Sequence, residues 1–600
     1  MHIRQLGRAG LFLIVLLVAA AAAAAQGRAP IRYTLRFTAP QTNYIEVEAV
    51  IPTGGRPSVD LFMAVWTPGS YLVREYERHV EAVTASAGGR ALDVQKPVKN
   101  RWRVTTGGAG EIRLTYRVFS HEMTVRTNWV DADVALINGA PTFITLLEHD
   151  RPHDVTLILP PAWKASVSAL PNAPGGAPNH YLAADYDTLV DSPIVAGNPA
   201  IHTFTVDGKP HHLVLAGPSG SFDGAVAAAD LERIVQAARK FWGSLPYDRY
   251  VFFNLLTEAS DGLEHRNSVM MMTSRWKMTT RPAYVEWLSL ASHEYFHAWN
   301  VKRLRPIELG PFEYEKESYP RSLWIAEGLT DYYADLLVRR AGLTVEWEYV
   351  GGLLSDAIRT LQLTPGRLVQ SVEMASFDAW IKHYRPDENS VNTAISYYTK
   401  GAVLGFVLDA RIRAATGGAK SLDDVMRLAF ARYSGARGYT PEQFRQTASE
   451  VAGTDLGAWF KTALETTDEI DYKPALDWYG LEFAPPQPGK SPGWLGAKTK
   501  VEAGRLLVEN VPRGTPGHAA GLNPGDEILA IDDFRVLPEK LDERLQSYRP
   551  GQQVTLLVAR REELKRLPIA LGAEPSETWM LVPRRNATPE QRAHLEAWLR

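Results

Sequence analysis

The chain contains 600 residues, of which 45% are hydrophobic and 22% are charged, and its formal net charge is −3. Its length predicts about three or four domains, and its near-neutral charge gives no reason to expect nucleic acid or an anionic membrane surface as a partner. The chain has no Cys, which excludes disulfides and thiolate ligands, so any metal must be bound by His and carboxylate side chains.

The first 25 residues have the pattern of a secretory signal peptide. Arg4 and Arg8 precede the apolar stretch 11–25, which ends in alanines before Gln26. This stretch is too short to span a bilayer, whereas a positive flank, a short apolar core and an Ala-x-Ala end are typical of a cleaved signal. We therefore expect residues 1–25 to be removed and the mature protein to be exported, periplasmic or secreted, without a stable membrane span. An uncleaved anchor is the alternative.

Residues 30–205 predict a β-sandwich-like domain. Apolar and polar residues alternate with a period of two in runs such as 33–37, 44–50 and 112–116, which is the pattern of half-buried strands. Gly, Pro, Asn and Asp separate these runs, and no long segment in this part of the chain has the 3.6-residue period of a helix.

Helical periodicity dominates from residue 223 onward. After a first helix at 223–245, the short apolar run 250–256 predicts a buried strand. Further helices are predicted at 284–304, 322–340, 345–361, 401–415, 422–431 and 441–451. We interpret residues 220–365 as a mixed region of strands and helices and residues 366–482 as a helical lobe.

The C-terminal part predicts a further small domain. Residues 483–492 contain four prolines and predict a stiff linker. Short strands around 521–526 and a helix near 538–548 predict a domain at 493–575. Residues 576–600 predict a polar tail that ends in a short helix. The chain as a whole is therefore predicted to be a multidomain α+β protein.

Residues 293–297 read His-Glu-Tyr-Phe-His, an H-E-x-x-H motif within a predicted helix. Positions i and i+4 lie on one face of a helix, so His293 and His297 can direct two imidazoles at one point. Glu294 can then take a proton from a water that the metal activates, which is the arrangement of a zinc hydrolase. Such a motif also arises by chance in roughly two chains in a hundred of this composition, so other residues must support it.

A zinc site needs a third protein ligand and an open position for water. Glu327 is the candidate, because it lies in the mostly apolar helix 323–333, where an unpaired carboxylate would be costly to bury. A surface Glu on an amphipathic helix is the alternative. Asp331, one turn later, could accept a hydrogen bond from a ligand histidine and fix its ring.

The H-E-x-x-H motif and the downstream Trp-x-x-Glu-Gly at 324–328 together resemble the thermolysin-like (gluzincin) zinc aminopeptidases. The resemblance implies a thermolysin-like catalytic domain at 220–365 that binds one Zn²⁺ per chain through His293, His297 and Glu327. The interval from His297 to Glu327 is 30 residues, which is longer than usual in that group and indicates an insertion between the two helices.

Two further motifs extend this resemblance. Residues 262–265 (Gly-Leu-Glu-His) resemble the Gly-x-x-Glu-Asn substrate strand of these aminopeptidases, which implies that Gly262 lies on the substrate strand and that Glu264 binds the α-amine of the substrate. An exposed loop carboxylate is the alternative for Glu264. His265 replaces the Asn and is expected to be a structural hydrogen-bonding residue. Tyr398 matches the Tyr of a Tyr-x-Lys-Gly motif that donates to the tetrahedral oxyanion, although aromatic packing at a helix start is the alternative.

The whole chain resembles the glycyl aminopeptidase family that carries a C-terminal PDZ domain. The segments that carry this resemblance are 66–71 (WTPGSY), 262–265, 293–297, 396–401, 493–496 (GWLG) and 521–526 (GLNPGD). The family implies hydrolysis of the N-terminal peptide bond of peptides with a free N-terminus, with Glu294 as general base and a preference for small first residues such as Gly or Ala. It also implies a PDZ domain at 493–575, whose carboxylate loop contains Trp494, Leu495 and Gly496. Such a domain takes up a C-terminal peptide by strand addition, from another chain or from this protein's own tail.

Two alternative functions remain open from the sequence. One is a zinc metalloendopeptidase whose groove is open at both ends. The other is a non-catalytic peptide-binding scaffold or chaperone that uses the PDZ and β domains. The sequence leaves open the natural substrate, the oligomeric state, the role of the N-terminal β domain and the choice between zinc, cobalt and manganese.

Overall fold

The structure, a computed structural model, describes residues 28–485, 492–575 and 578–600. It divides into two compact units. Unit 1 extends to Arg303 and also includes Pro311–Ser318, and unit 2 comprises Leu304–Gly310 and Tyr319–Arg600. The predicted signal peptide lies outside the described residues, as do residues 486–491 of the predicted linker.

Unit 1 begins with a β-rich domain, as the alternating pattern predicts. Strands β1 to β8 are Ile31–Arg36, Tyr44–Pro52, Ser58–Phe62, Val80–Ala87, Arg90–Leu92, Val94–Val98, Arg101–Thr105 and Glu111–Phe119. Strands β9 to β15 are Trp129–Val130, Val134–Ile137, Thr145–Leu146, His153–Ile158, Ala165–Ser168, His180–Ala183 and Ile194–Gly197, and helix α1 is Tyr186–Val190. Among the described residues they pair in the orders β14-β12-β1-β2-β8-β4-β5, β13-β15-β10-β9 and β11-β3-β7-β6.

The period-two pattern explains how these strands build a core. In β8 every second residue from Ile112 to Val118 is buried, and β2 alternates in the same way. Each such strand therefore turns one apolar face inward and one polar face outward. The inward side chains form a large buried cluster that includes Tyr33, Trp102 and Phe143.

A second sheet of unit 1 carries the H-E-x-x-H helix. Strands β16 to β20 are Ala200–Val206, Lys209–Ala216, Tyr250–Thr257, Asp261–Glu264 and Ser268–Ser274, and they pair in the order β16-β17-β18-β20-β19. Helices α2 and α3 are Gly224–Trp242 and Arg281–Phe296. The strands β17, β18 and β20 are parallel, whereas β19 is antiparallel to β20 and lies at the edge. The predicted buried strand is β18.

The β-rich domain and the second sheet share a hydrophobic cluster. Leu136 and Val195 of the β-rich domain belong to the same buried cluster as Leu263 and Met270 of the second sheet. The shared core fixes the β-rich domain against strand β19 within unit 1.

Unit 2 contains the predicted helical lobe. Helices α4 to α12 are Leu329–Arg340, Ser355–Leu363, Val372–Phe377, Ser390–Thr393, Tyr397–Ala415, Leu422–Tyr433, Pro441–Ala452, Gly457–Glu465 and Lys473–Tyr479. Two π-helical segments, Trp324–Gly328 and Trp347–Leu354, precede α4 and α5. Helix α8 is buried along most of its length and contacts α4, α5 and α12. No helix among the described residues combines the length and the apolar character that crossing a membrane requires.

The C-terminal small domain is confirmed as a PDZ-like β domain with a core of its own. Its strands β22 to β27 are Lys498–Glu502, Arg505–Asn510, Glu527–Ile531, Phe534–Arg535, Gln553–Arg560 and Glu563–Ala570, with helices α13 at Pro516–Ala519 and α14 at Leu541–Leu545. The order is β22-β23-β24-β26-β27, and β25 pairs with β24. Its buried cluster includes Leu506, Ile531 and Leu556.

The chain returns from this domain to the helical lobe. Strand β21, Leu481–Phe483, pairs antiparallel with β28, Leu581–Pro583, so the PDZ domain emerges from between two paired strands. Helix α15, Pro589–Leu599, follows β28. Its Trp598 is fully buried and packs on Tyr479 and Phe406. The segment that the sequence predicts to be a polar tail is therefore packed on the lobe, because one face of its helix is apolar.

Candidate active site

The two histidines of the H-E-x-x-H motif converge as their spacing predicts. Thr280 caps the start of α3 and Pro282 occupies its first turn, which fixes the helix that carries both rings. The Nε2 atoms of His293 and His297 lie 3.0 Å apart, and both rings are buried. Two nitrogens bound to one zinc at about 2.0–2.1 Å in tetrahedral geometry would be separated by roughly 3.3 Å, so the pair fits a metal.

The carbonyl of Asn300 sets the tautomer of His297. His297 Nδ1 lies 2.7 Å from Asn300 O, and because a carbonyl only accepts, Nδ1 is the protonated nitrogen. Nε2 is then the basic nitrogen, which is the state a metal ligand requires. This turn also explains why α3 ends at Phe296, although the sequence predicts helix to residue 304.

Glu294 lies directly beneath the edge strand β19. The side chain is 6% exposed. A Cβ built on Gly262 would lie 2.1 Å from Glu294 Oε1 and 2.5 Å from Cδ. A side chain at residue 262 would therefore displace the Glu294 carboxylate, and Gly lets the strand pass this close to it. The sequence motif includes Gly262 but does not show that a glycine is needed there to make room for the Glu294 carboxylate.

Glu264, at the end of β19, is a buried carboxylate rather than an exposed loop residue. It is 4% exposed, and its Oε1 has no hydrogen-bond partner among the described residues. Its neighbour His265 is a structural hydrogen-bonding residue, with Nδ1 3.3 Å from Asp191 Oδ1.

Asp191 fixes the end of β19, a role that no motif in the sequence indicates. Its carboxylate accepts hydrogen bonds from the backbone N–H of Arg266 at 2.7 Å and from Lys302 Nζ at 2.6 Å. Burial alone would raise the pKa of Asp191, but the charge of Lys302 and the hydrogen bond from His265 outweigh it and hold the pKa well below its usual range. Asp191, His265 and Lys302 do not lie in one segment of the sequence, so no local pattern shows that they meet.

One group of His and carboxylate side chains in unit 1 could hold a metal ion. The ligand atoms of Glu264, Glu294 and His297 all lie within 4.8 Å of one another. The donors are nitrogen and oxygen, which suits zinc.

Glu327 lies in the π-helical segment that precedes α4, not in a regular helix. It is 2% exposed, so the surface alternative is excluded. A Cβ on the next residue, Gly328, would lie 2.5 Å from the Cα of Gly401 and 2.6 Å from the carbonyl of Tyr397. The glycines of the Trp-x-x-Glu-Gly and Tyr-x-Lys-Gly motifs therefore contact each other, and this backbone approach places Glu327 beside the first turn of α8.

Tyr398 lies in the first turn of α8, whose start is capped by Ser396. Tyr397 is fully buried, whereas Tyr398 is half-buried. The role of Tyr398 as oxyanion donor stays a prediction. The ring of His383, which belongs to none of the sequence motifs, stacks on Tyr398 with centroids 5.3 Å apart. Burial lowers the pKa of His383, against the charges of Glu327 and Asp331. Asp331 is half-buried, and its contact with a ligand histidine stays a prediction.

The long interval before Glu327 contains a segment that binds to the β-rich domain. Within unit 1, Tyr314 O accepts from Val65 N at 2.9 Å, and Glu313 O accepts from Trp66 Nε1 at 2.8 Å. Arg101 forms a charged pair with Glu315. The inserted residues 311–318 are therefore ordered and supported, not a free loop.

The segment that is predicted to be the carboxylate loop of the PDZ domain lies in unit 2. Trp494 exchanges backbone hydrogen bonds with Gly572 at 3.0 and 2.9 Å, and Leu495 is buried. Gly496 has a φ of +66° and approaches Thr515 so closely that its Cβ would lie 2.4 Å from the Thr515 Cβ. The outer edge of β22 has no strand partner among the described residues.

Comparisons with known proteins agree with this architecture. The model of the Peptidase M61 N-terminal domain matches residues 32–198, the M61 glycyl aminopeptidase model matches 286–404, and the PDZ domain model matches 493–571. A solved aminopeptidase N family protein from Idiomarina loihiensis is 28% identical, with a TM-score of 0.89, and the match covers 95% of this chain and 100% of that one.

Two further matches have a low identity or cover only a short part of the chain. A solved M1 zinc metallopeptidase from Deinococcus radiodurans is 13% identical with a TM-score of 0.46, over 74% of this chain and 94% of that chain, which is too low to bear on function. The magnetosome formation protease MamE of Paramagnetospirillum magneticum is 35% identical over 80 residues, which are 13% of this chain. The matched stretch spans only 11% of the length of that curated relative.

Proposed function

We propose that this chain, a metallo-aminopeptidase that belongs to the M61 glycyl aminopeptidase family and carries a PDZ domain, uses one zinc ion to remove the first residue from peptides with a free N-terminus. One observation carries the proposal: the ligand atoms of Glu264, Glu294 and His297 lie within 4.8 Å of one another. One residue of extended chain spans about 3.3–3.6 Å. A substrate whose ammonium pairs with Glu264 therefore has its first peptide bond, and no later one, beside Glu294 and His297.

His293, His297 and Glu327 are the proposed metal ligands. The short separation of the two Nε2 atoms and the tautomer that Asn300 imposes on His297 support this assignment. The ion, when bound, supplies Lewis acidity that lowers the pKa of water and polarises the substrate carbonyl. The same donors suit cobalt and manganese, so metal analysis of the purified protein is the direct check of zinc and of one ion per chain.

Glu294 is the proposed general base. Its carboxylate takes the proton of the attacking water and returns it to the amine that leaves. Burial beneath Gly262 holds the carboxylate close to strand β19.

Tyr398 is the proposed oxyanion donor. Its phenol can donate a hydrogen bond to the oxygen that becomes negative as the carbonyl carbon turns tetrahedral, and it carries no charge of its own. Stacking on His383 and on Tyr397 limits the directions in which the phenol can point. Preorganisation of this kind strengthens a donor because the site does not rearrange during the reaction.

Strand β19 is the proposed substrate strand. It lies at the edge of its sheet, so its second row of backbone groups can pair with an extended peptide. Gly262 lies over Glu294, and Glu264 lies at the end of the strand. A peptide paired along β19 therefore runs from the amine-binding carboxylate toward the general base. The name of the matching family supports Gly as the preferred first residue, and we propose that Ala, the next smallest residue, is also accepted.

The free α-amine is the test of this proposal. We expect hydrolysis of glycyl and alanyl anilides and of peptides with a free N-terminus, and no hydrolysis of the same peptides after N-acetylation. Glu264→Gln should raise KM by about tenfold, because an ammonium loses a charged partner. Equal cleavage of free and acetylated peptides would instead support the metalloendopeptidase alternative.

The PDZ domain is proposed to bind peptides through its carboxylate loop and the edge of β22. Its own C-terminus is a poor occupant, because Trp598 and Leu599 are buried on the helical lobe. Export of the protein is likewise a proposal, supported by Arg4, Arg8 and the apolar stretch 11–25. N-terminal sequencing of the exported protein tests it.

A further inference from the structure

A loop of the N-terminal β domain contacts the amine-binding carboxylate. In the 66–71 loop, Gly69 has a φ of +89°, and a Cβ built on it would lie 2.5 and 2.6 Å from the two carboxylate oxygens of Glu264. The same Cβ would lie 2.7 Å from Leu263 Cδ1. The loop backbone therefore lies directly against Glu264, and both the φ and the space exclude any other residue.

This loop is rigid rather than a mobile cover. Ser70 and Tyr71 are buried, and Ser70 N donates to Thr67 O at 3.1 Å across the turn. Arg74 Nη2 donates to Ser70 Oγ at 2.9 Å. Trp66, fully buried, is tied to the inserted segment 311–318 through its indole N–H. A buried, hydrogen-bonded turn of this kind holds its position against a ligand.

The β domain also contacts the other end of β19. Arg126 pairs with the carboxylate of Asp261, and its Nη2 donates to Gly262 O at 3.4 Å. The backbone carbonyl of Arg126 accepts from Tyr76 OH at 3.0 Å, which holds the loop that carries it. Two separate loops of the β domain therefore fix the strand along which the substrate is proposed to bind.

Glu264 itself indicates a cationic ligand. It is buried, one of its oxygens has no partner among the described residues, and Glu294 lies nearby with the same charge. Two close buried carboxylates favour a cation between them. The 66–71 loop lies against both carboxylate oxygens of Glu264, so a substrate that continued past its amine would meet the backbone of this loop.

We propose that the N-terminal β domain forms the closed end of the substrate groove, and that Gly69 is a positioning residue that holds Glu264 and excludes peptides whose first amine is blocked or extended. The inference rests on the proposed function, because it takes Glu264 to be the amine-binding group. It assigns a role to the β domain: selection of small ligands with a free primary ammonium.

The test measures binding of small amines by calorimetry with the metal-loaded full-length protein. Glycinamide is the probe, and N-acetylglycinamide is the blocked probe. Wild type should bind glycinamide and not the blocked probe. Gly69→Ala should weaken glycinamide binding by about tenfold, because the added Cβ displaces the carboxylate. Gly89→Ala is the matched control, since Gly89 has a φ of +80° but no atom within 4 Å of its Cβ, and it should bind as wild type does.

A second variant tests the inference even if Gly69→Ala does not fold correctly. Ser70→Ala adds no atom, removes the hydrogen bond from Arg74 and should weaken glycinamide binding about threefold. Wild-type affinity in both Gly69→Ala and Ser70→Ala would overturn the inference, as would equal losses in Gly69→Ala and Gly89→Ala.

A double-variant cycle separates a positioning role from a general structural one. If Gly69 acts through Glu264, Gly69→Ala should change glycinamide affinity less than about twofold in a Glu264→Gln background. Additive losses would contradict the inference. Binding of glycinamide that depends on Gly69, in a protein that hydrolyses no aminoacyl anilide, would leave this inference standing and refute the proposed function alone.

Discussion

Two regions that carry predicted catalytic residues each depend on a glycine, but the two glycines have different neighbours. In unit 1, Gly262 lies against the carboxylate of Glu294. In unit 2, Gly328 lies against the backbone of Gly401 and Tyr397. The same added methyl group would meet a movable side chain in the first region and fixed backbone in the second.

Because of this difference, crowding in the first region should affect catalysis, and crowding in the second should affect the stability of the fold. A side chain can rotate away at small cost, so crowding at residue 262 would displace the general base and leave the fold intact. Two helical segments cannot separate without losing contacts along their length, so crowding at residue 328 would cost free energy of folding. Each region can therefore be disturbed by a Gly-to-Ala change with a different measured consequence.

The largest effect on activity is expected from substitution of Glu294, the carboxylate that lies against Gly262. Glu294→Gln keeps the shape of the side chain but removes its basicity, and kcat should fall by about 10³-fold. Metal content and the midpoint of thermal unfolding should stay at the wild-type values. Glu286→Gln, on the exposed side of the same helix α3, is the control and should retain activity. Full activity in Glu294→Gln would refute its role as general base.

The backbone contact in unit 2 should give the largest loss of stability. Gly328→Ala places a Cβ 2.5 Å from the Cα of Gly401, and the free energy of unfolding of the helical lobe should fall by about 3 kcal/mol. Gly352→Ala is the control, because the nearest atom to its Cβ is 3.8 Å away, and it should change stability by at most about 1 kcal/mol. Urea unfolding followed by far-ultraviolet circular dichroism measures both variants, and equal stabilities would contradict the comparison.

The two regions also differ in how far the sequence predicts them. The i, i+4 spacing of His293 and His297 is a local property of a helix, and it places both rings correctly without knowledge of the fold. The apolar sequence around Glu327 indicates that it is a candidate ligand, but the π-helical turn that contains it depends on contact with α8. The meeting of Gly328 with Gly401 joins residues far apart in the chain, which periodicity does not predict.

Crowding in unit 1 should reduce activity without unfolding the protein. Gly262→Ala would push the Glu294 carboxylate out of position, and a displacement of about 1 Å can cost about 10²-fold in kcat/KM. The unfolding midpoint should stay within a few degrees of wild type. Gly89→Ala, whose Cβ meets no atom, is the control. A loss of stability as large as that of Gly328→Ala would show that the two regions respond alike.

The polar contacts at the end of β19 are the part of unit 1 that the sequence does not predict. The sequence predicts a structural hydrogen-bonding role for His265, but its partner Asp191 lies 74 residues away. Lys302 follows the H-E-x-x-H motif and points its ammonium at the same carboxylate. These groups come together only because the β domain packs on the second sheet, and composition or spacing does not reveal that packing.

The smallest effect should come from this buried pair, and it should depend on pH. Asp191→Asn removes the partner of Lys302 and should lower the stability of unit 1 by about 2 kcal/mol at pH 7. Because the pKa of Asp191 is lower in the folded protein than in the unfolded chain, its contribution is fully present above the unfolded pKa of about 3.9 and is lost as the pH falls toward the folded value. The difference between wild type and Asp191→Asn should therefore shrink when urea unfolding is repeated at pH 3. Asp207→Asn, which breaks an exposed pair with Arg239, should change stability by less than about 1 kcal/mol at both pH values. The two proteins could instead differ in free energy of unfolding by the same amount at pH 7 and pH 3. Asp191 would then hold the end of β19 by packing, and its charge would contribute nothing to the rigidity on which Gly262 and Glu264 depend.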